Sequence, residues 1–186
     1  TGFGVPFTTW PDRADVPRNA ARPLRYMDRY VTITQGEVFT ITEALAVLEG
    51  LERGPAGNTS LTAAFAIARE MPEDQIVVVQ ETEYTGAGKH VTAQLTFARE
   101  NGIEVRRGDP AEQVPGKNII IPSDPSMIRP KDIPLHDLKT SYLKNAMKNR
   151  PAGAPATLTE AETAFLAAEV RETPEGLAAL LAELKG

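Results

Sequence analysis

The sequence predicts an α/β fold with a parallel sheet, and three observations support this prediction. Helical patterns alternate with short apolar runs over residues 31–149. The run Ile76–Val79 is continuously apolar, as is typical of parallel strands buried on both faces. The 186 residues are 41% apolar, which is enough for a domain-sized core. We therefore expect a parallel-sheet layer with flanking helices, followed by a C-terminal helical tail.

The N-terminal segment, residues 1–30, is expected to be irregular. It contains four prolines, which remove backbone donors and disfavour a long helix. Its arginines could bind a phosphate or a carboxylate in a bidentate manner, or could pair with nearby aspartates on a solvated arm. The arginines are Arg13, Arg18, Arg22, Arg25 and Arg29, and the aspartates are Asp12, Asp15 and Asp28.

The next elements are predicted from β-branched runs and from helical spacing. Tyr30–Thr34 is rich in β-branched residues and is predicted to form a strand. Apolar residues recur at helical spacing over Thr42–Leu51, and Thr40 or Thr42 could cap this helix. After a Gly-Pro break, a side-chain oxygen can cap a second helix by accepting from its first N–H groups. The candidate caps are Asn58, Thr59 and Ser60.

The same alternation continues with the buried strand predicted at Ile76–Val79. A polar loop over residues 81–88 separates this strand from a helix predicted at His90–Asn101, which Asn101-Gly102 is expected to end. Two strands and a helix follow, at Ile103–Val105, Asn118–Ile121 and Pro134–Asn149.

A linker rich in Pro, Ala and Gly separates the C-terminal part at residues 150–157. Thr159 and Glu162 have the spacing of a capping box for one helix. Pro174 is suited to the first position of a second helix. The chain is therefore divided into an irregular segment 1–30, an α/β portion 31–149, the linker 150–157 and a helical pair 158–186, whose apolar faces indicate a docking or capping element.

Composition argues against several functions. The net charge of −5 disfavours a nucleic-acid binder, and no apolar run approaches the ~20 residues of a membrane span. The chain has no Cys, so disulfides, thiolate metal sites and a Cys nucleophile are excluded. His136 is expected at the surface near a helix start, and its spacing from His90 fits no helical metal site. We expect a cytoplasmic protein without a metal, nucleic-acid or membrane partner.

Two loops are candidates for binding or catalysis. The loop after Ile76–Val79 lies where ligands bind in open α/β sheets, beyond the carboxyl end of a strand. Its Gly86 and Gly88 permit close backbone approach, and its Glu81 and Glu83 could act as acid–base groups or be solvated. The other loop, residues 54–60, opens a helix, and its N–H groups could face an anion or form an ordinary cap.

The order of these motifs resembles the later part of the fold-type II pyridoxal-phosphate enzymes, the superfamily of threonine synthase and the tryptophan synthase β subunit. The shared order is a helix ending in Glu-Gly, a small-residue loop, an alanine-rich helix, an apolar strand and a Thr-Gly-Ala-Gly turn. The resemblance implies that Thr85, or alternatively Thr82, holds the pyridine nitrogen of the cofactor beside Gly86 and Gly88. It also implies that the cofactor or the substrate carboxylate is lined by Gly57, Asn58, Thr59 and Ser60.

Residues 50–60, 80–90 and 115–122 resemble more closely the family of 2-amino-4-oxopentanoate thiolase β subunits of ornithine fermentation. This resemblance implies a pyridoxal-phosphate-dependent thiolase or lyase, acting as an acyltransferase, that converts 2-amino-4-oxopentanoate and coenzyme A to alanine and acetyl-CoA. The candidates for proton transfer are then Glu81, Glu83, Tyr84 and His90. The arginine-rich start could meet the phosphates of coenzyme A.

The resemblance also implies that the chain is a C-terminal part. In that superfamily the Schiff-base lysine and the Gly-rich phosphate cup precede the matched region, and neither has a counterpart here. We therefore expect a partner, either the missing N-terminal catalytic portion or a companion subunit, in a homo- or hetero-oligomer. Two alternatives are another fold-type II enzyme, such as an ammonia-lyase or a threonine synthase relative, and a non-catalytic α/β interaction protein.

Overall fold

The computed structural model describes residues 22–80, 91–150 and 152–184. The chain divides into two compact units. The α/β unit is Val31–Lys131, and the helical unit combines Thr1–Tyr30 with Asp132–Gly186. No helix within the described ranges is long and apolar enough to cross a membrane.

Helices and short strands follow one another along the chain, which confirms a mixed α/β architecture. The helices are α1 Arg22–Tyr26, α2 Gln35–Glu49, α3 Asn58–Ala68, α4 Val91–Glu100, α5 Leu135–Lys148, α6 Glu160–Val170 and α7 Pro174–Glu183. The strands are β1 Tyr30–Thr32, β2 Glu104–Gly108, β3 Asn118–Pro122 and β4 Lys131–Ile133. Single 3₁₀ turns lie at Pro110–Glu112 and Pro125–Met127.

The parallel pairing predicted from the sequence is confirmed for β2 and β3. Their register runs from Glu104 opposite Asn118 to Gly108 opposite Pro122. The neighbouring residues Ile119 and Ile120 are both buried. Because adjacent strand residues face opposite sides, β3 is covered on both faces. Strands β1 and β4 form a separate two-stranded sheet.

Helix α2 packs tightly against β3 near its own N-terminus. A side chain at Gly36 would overlap the backbone carbonyl of Ile120, so this position needs the smallest residue for close approach of helix and strand. One turn further along, Phe39 is 2% exposed and joins a cluster with Val91, Ala98 and Ile119. Helices α2 and α4 therefore share one core with the parallel pair.

The predicted start of α2 was wrong. The helix begins at Gln35 with Thr34 as its N-cap, rather than at Thr42. Thr34 and Glu37 form a capping box, in which the Glu37 carboxylate accepts from the N–H of the N-cap Thr34. Thr40 and Thr42, the predicted caps, lie inside the helix, and their hydroxyls donate to backbone carbonyls four residues earlier.

The prediction that Ile76–Val79 is a strand buried on both faces was also wrong for the described residues. The segment belongs to no sheet there, and Ile76 and Val78 are 87% and 91% exposed. No strand in the described ranges lies paired beside it. Its apolar composition is typical of a buried strand, but no strand in the described ranges covers it.

The helical unit has its own core. Its centre is formed by Leu143, Val170 and Leu177, which are at most 1% exposed. The predicted helix at Pro134–Asn149 is confirmed as α5, which packs with α6 and α7. Helix α5 therefore belongs to the same compact unit as the C-terminal helices.

The predicted caps of the C-terminal helices are confirmed. Thr159 and Glu162 form a capping box at α6, and Pro174 occupies the first turn of α7. Glu162 also accepts from the guanidinium of Arg150 at 2.9 Å. Arg150 donates as well to the carbonyl of Pro155 at 2.7 Å, which fixes one end of the linker.

Candidate functional site

The α/β unit contains a cavity of about 350 Å³ at the N-terminus of α3. Its wall combines the first turn of α3, residues of β1 and the segment after it, and the end of the segment that follows α3. The lining residues are Val31, Ile33, Ala56, Gly57, Thr59, Ser60, Ala63 and Gln80. Three residues expected to line a cofactor or carboxylate, Gly57, Thr59 and Ser60, therefore lie together here.

A tight turn leads the chain into α3. The N–H groups of Gly57 and Asn58 donate to the carbonyl of Gly54 at 3.0 and 3.3 Å. Gly57 is the N-cap, with φ −66° and ψ −39°, and no side chain caps the helix. The predicted side-chain cap was therefore wrong. Because the first N–H groups of a helix lack intrahelical partners, the end of α3 at the cavity carries partial positive charge.

The side chain of Asn58 joins this end of α3 to α2. Its side chain is 0% exposed, and its Nδ2 donates to the Thr42 hydroxyl of α2 at 3.0 Å. The Thr42 hydroxyl donates in turn to the carbonyl of Val38 at 2.8 Å. The Thr62 hydroxyl donates to the carbonyl of Asn58 at 2.7 Å. Asn58, predicted to line the cofactor, does not line the cavity and instead ties α3 to α2.

Ser60 connects α3 to the segment that precedes the predicted catalytic loop. Its hydroxyl donates to the carbonyl of Gln80 at 2.7 Å. Gln80 itself lines the cavity, so the loop that begins at the next residue starts at this site. Ser60 therefore fixes one end of that loop rather than capping its own helix.

Most of the predicted site residues lie outside the described residues. These are Glu81, Thr82, Glu83, Tyr84, Thr85, Gly86, Gly88 and His90. Their assignments as proton-transfer and cofactor-binding residues stay predictions.

The lining of the cavity is electrically neutral, since it contains no Asp, Glu, Lys, Arg or His. Among the described residues, the α3 N-terminus is the feature of this lining that favours an anion, because its backbone dipoles favour negative charge. Within the described ranges, no group of three or more His, Cys, Asp or Glu could hold a metal ion.

Sequence reasoning missed the apolar side of this cavity. Val31 and Ile33 lie two residues apart in the region of β1, and residues at this spacing share one face of an extended chain. Ala56 and Ala63 lie before and within α3 and add small apolar side chains to the wall. Apolar and polar residues alternate in Tyr30–Thr34, and this pattern indicates an apolar face. No sequence pattern linked that face to the distant Gly57.

The helical unit has a second cavity of about 270 Å³, but its charged residues are paired. Lys139 contacts Glu172 at 2.6 Å. Arg171 contacts Asp28 at 2.9 Å. These pairs neutralise the cations that an anionic ligand would need. His136 lies at the start of α5 near Glu183, at 3.2 Å, and is exposed as predicted.

Two of the N-terminal arginines are also paired with carboxylates. Arg25 contacts the buried Glu169 at 2.8 Å, and Arg29 contacts Asp132 at 2.6 Å. The hydrogen bond from Arg29 lowers the pKa of the exposed Asp132. These pairs favour a structural role for Arg25 and Arg29 over phosphate binding.

Comparison with known proteins gives two similar relatives. The chain is 59% identical, over all of its 186 residues, to the 2-amino-4-ketopentanoate thiolase beta subunit of Acetoanaerobium sticklandii. It is 58% identical over 184 residues to a protein of the same name from an unknown prokaryotic organism. The chain spans only 39% and 38% of these relatives' lengths. No family model and no solved structure matches the chain.

Proposed function

We propose that this chain forms part of a pyridoxal-phosphate-dependent thiolase that cleaves 2-amino-4-oxopentanoate with coenzyme A to alanine and acetyl-CoA. The observation that carries the proposal is the 59% identity to a thiolase beta subunit over the whole chain. The compound in the relatives' names, 2-amino-4-ketopentanoate, is the same as 2-amino-4-oxopentanoate. Since both relatives are named beta subunits, we infer that the assembly also contains a companion subunit.

The cavity at α3 suits one wall of such a site. Its volume of about 350 Å³ lies within the range of roughly 300–1,000 Å³ for small-molecule sites. A helix N-terminus favours a phosphate or a carboxylate, and both the cofactor and the amino-acid substrate carry such a group. Gly57 has no side chain to block close approach of an anion. The described residues therefore fit the cofactor or substrate at its anionic end.

The proposed reaction gives a role to the residues around the cavity. Pyridoxal phosphate, when bound, supplies an electron sink for the amino-acid carbon skeleton. Thr59 would bind and orient an anionic group at the α3 N-terminus, and Gly57, whose N–H already donates to the Gly54 carbonyl, would leave room for that group. Ser60 would hold the start of the catalytic loop through Gln80. Thr85, or alternatively Thr82, would hold the pyridine nitrogen.

The overall reaction requires a proton at one defined atom. The bond between C3 and C4 of the substrate breaks, and the sulfur of coenzyme A bonds to C4, which becomes the acetyl carbon. C3 gains a proton and becomes the methyl carbon of alanine. The thiol loses its proton, so no oxidant or reductant is needed. The candidates for moving these protons are Glu81, Glu83, Tyr84 and His90.

The test is a product assay on the full-length protein in its native assembly. Supplied with 2-amino-4-oxopentanoate and pyridoxal phosphate, it should form alanine and acetyl-CoA in equal amounts, and only when coenzyme A is present. Ammonia release without coenzyme A would instead indicate an ammonia-lyase of the same superfamily. An assembly that neither binds pyridoxal phosphate nor turns over would indicate a non-catalytic interaction protein.

A further inference from the structure

The segment Ile76–Val79 presents one apolar face to solvent. Ile76 and Val78 are 87% and 91% exposed, whereas Val77 is 36% exposed and Val79 is half-buried. Exposure that alternates with a period of two is the pattern of a β-strand with one covered and one open face.

Defined hydrogen bonds lie on both sides of this segment. Before it, the N–H of Gln75 donates to the carbonyl of Pro72 at 3.1 Å, which closes a turn. After it, the carbonyl of Gln80 accepts from the Ser60 hydroxyl at 2.7 Å. The segment is therefore preceded by a closed turn and tied to α3 at its other end, and its exposed face is not that of a frayed end.

The segment lacks the features that protect a free strand edge. Natural edge strands carry charges, prolines or bulges that prevent pairing with other chains. Residues 75–80 read Gln-Ile-Val-Val-Val-Gln and contain no charge and no proline. Within the described ranges no strand pairs with this segment. An exposed segment of this composition is a template for strand addition.

We propose that Ile76–Val79 is a docking edge for a further β-strand, and that the strand belongs to polypeptide that the relatives possess outside the matched region. Two observations support this occupant. The relatives match the chain throughout, yet the match covers only 39% and 38% of their lengths, so they have ample chain to supply a strand. The edge is uncharged and apolar, which fits an internal sheet neighbour better than a polar, exchangeable partner. The inference concerns assembly and does not depend on the cofactor or the reaction.

Thiol labelling of the full-length protein, as its gene encodes it, tests this inference. The 186 residues contain no Cys, so Val78→Cys and, as a control in the preceding turn, Glu73→Cys each introduce a defined thiol. Peptide mass spectrometry distinguishes these thiols from any cysteine elsewhere. Without substrate or cofactor, Cys at position 78 should react at least about tenfold more slowly than Cys at position 73, which corresponds to ~1.4 kcal/mol of opening free energy. Equal rates would overturn the proposal.

The identity of the occupant is tested by the same labelling. Slow labelling at position 78 should persist on dilution and after removal of any companion subunit, because the strand belongs to the same polypeptide. Protection lost on dilution would indicate a second copy, and protection lost with the companion subunit would assign the strand to that subunit. Either result, or a gene that encodes nothing beyond these residues, would overturn the assigned occupant.

Hydrogen exchange on the unmodified full-length protein provides an independent readout. Strand addition should slow the exchange of amides within Ile76–Val79 relative to the amide of Glu73. Because these measurements use protein without substrate or cofactor, they separate failure of the docking edge from failure of the proposed reaction. Exchange at the rate of an unstructured peptide would contradict the docking edge.

Discussion

Replacement of Glu37 by alanine should destabilise the α/β unit by about 2–4 kcal/mol. The carboxylate is 2% exposed and lies in the first turn of α2. One oxygen accepts from the backbone N–H and the hydroxyl of Thr34, both at 2.7 Å. The other oxygen accepts from the N–H of Arg129 at 2.7 Å. A single side chain thus joins the start of α2 to a segment 92 residues away.

The magnitude follows from the groups that the substitution leaves without a partner. Each unsatisfied N–H costs about 1–3 kcal/mol when buried. Thr34 is half-buried and Arg129 is exposed, so water replaces part of each bond and about 1 kcal/mol per N–H is appropriate. Loss of the hydrogen bond from the Thr34 hydroxyl adds about 1 kcal/mol. Burying the carboxylate costs free energy in the parent protein, and the variant no longer has this cost. This gain offsets part of the losses, so the total stays within about 2–4 kcal/mol.

Two companion variants make the result specific. Glu37→Gln keeps the shape and one acceptor oxygen but places an NH₂ group against an N–H donor, so it should cost about 1–2 kcal/mol. Glu43→Ala removes an exposed carboxylate from the same helix and should stay within about 0.5 kcal/mol of the parent protein.

The assay is urea unfolding combined with hydrogen exchange of α2 amides. The exchange data are needed because a chain of two compact units need not unfold in one step. Amides of α2 should exchange faster in Glu37→Ala than in Glu37→Gln, and both faster than in Glu43→Ala. If Glu37→Ala and Glu43→Ala have equal stability, the buried carboxylate does not join the two segments and the reasoning is refuted.

Three further predictions concern other parts of the structure. Gly36→Ala should destabilise the α/β unit in urea unfolding although alanine favours helices by about 1 kcal/mol, because the new methyl overlaps a carbonyl of β3; a more stable variant would contradict this packing. Asn58→Ala should cost about 1–3 kcal/mol, since it removes the donor to α2, and unchanged thermal unfolding would contradict that role. The pKa of Glu162 is lowered by hydrogen bonds from the Thr159 backbone and Arg150. Its contribution is therefore present above its unfolded pKa and lost as the pH falls through the lowered folded pKa. Acid titration of α6 helicity should be shallower in Glu162→Gln, and identical titrations would contradict the assignment.

Local chemistry made several elements predictable from the sequence. The strands at Ile103–Val105 and Asn118–Ile121 were predicted from short apolar runs. Their parallel pairing agrees with the parallel sheet expected from the alternation of helices and apolar strands. The caps of α6 and α7 were predicted because Thr159, Glu162 and Pro174 act within a single turn.

The errors arose where distant residues decide the outcome. The start of α2 was placed too late because Gly36 and the threonines weaken the local helical signal. Its contact with β3 and the hydrogen bond from the Arg129 N–H to the Glu37 carboxylate compensate for that weakness, and neither is visible in local spacing. The apolar composition of Ile76–Val79 was interpreted as that of a buried strand. Burial requires neighbouring strands, which the described residues do not supply.

The candidate site was predictable in part. The loop before α3 was identified from its small residues, and Gly57, Thr59 and Ser60 do line one cavity. The tie between Asn58 and α2 was not predictable, because it joins residues on two helices. The apolar face from Val31 and Ile33 was missed for the same reason.

The proposed function requires the α3 N-terminus to bind an anionic group of the cofactor or substrate. Thr59→Glu tests it most directly, because an acidic residue in the first turn stabilises a helix by about 0.3–1 kcal/mol while placing a negative charge in the cavity lining. The neutral control of similar size is Thr59→Gln.

In the full-length native assembly, we expect Thr59→Glu to fold as well as the parent protein. The same variant should weaken pyridoxal-phosphate binding, or raise KM for the amino-acid substrate, about tenfold or more relative to Thr59→Gln. Equal cofactor affinity and equal KM in the two variants would contradict an anion site at the α3 N-terminus.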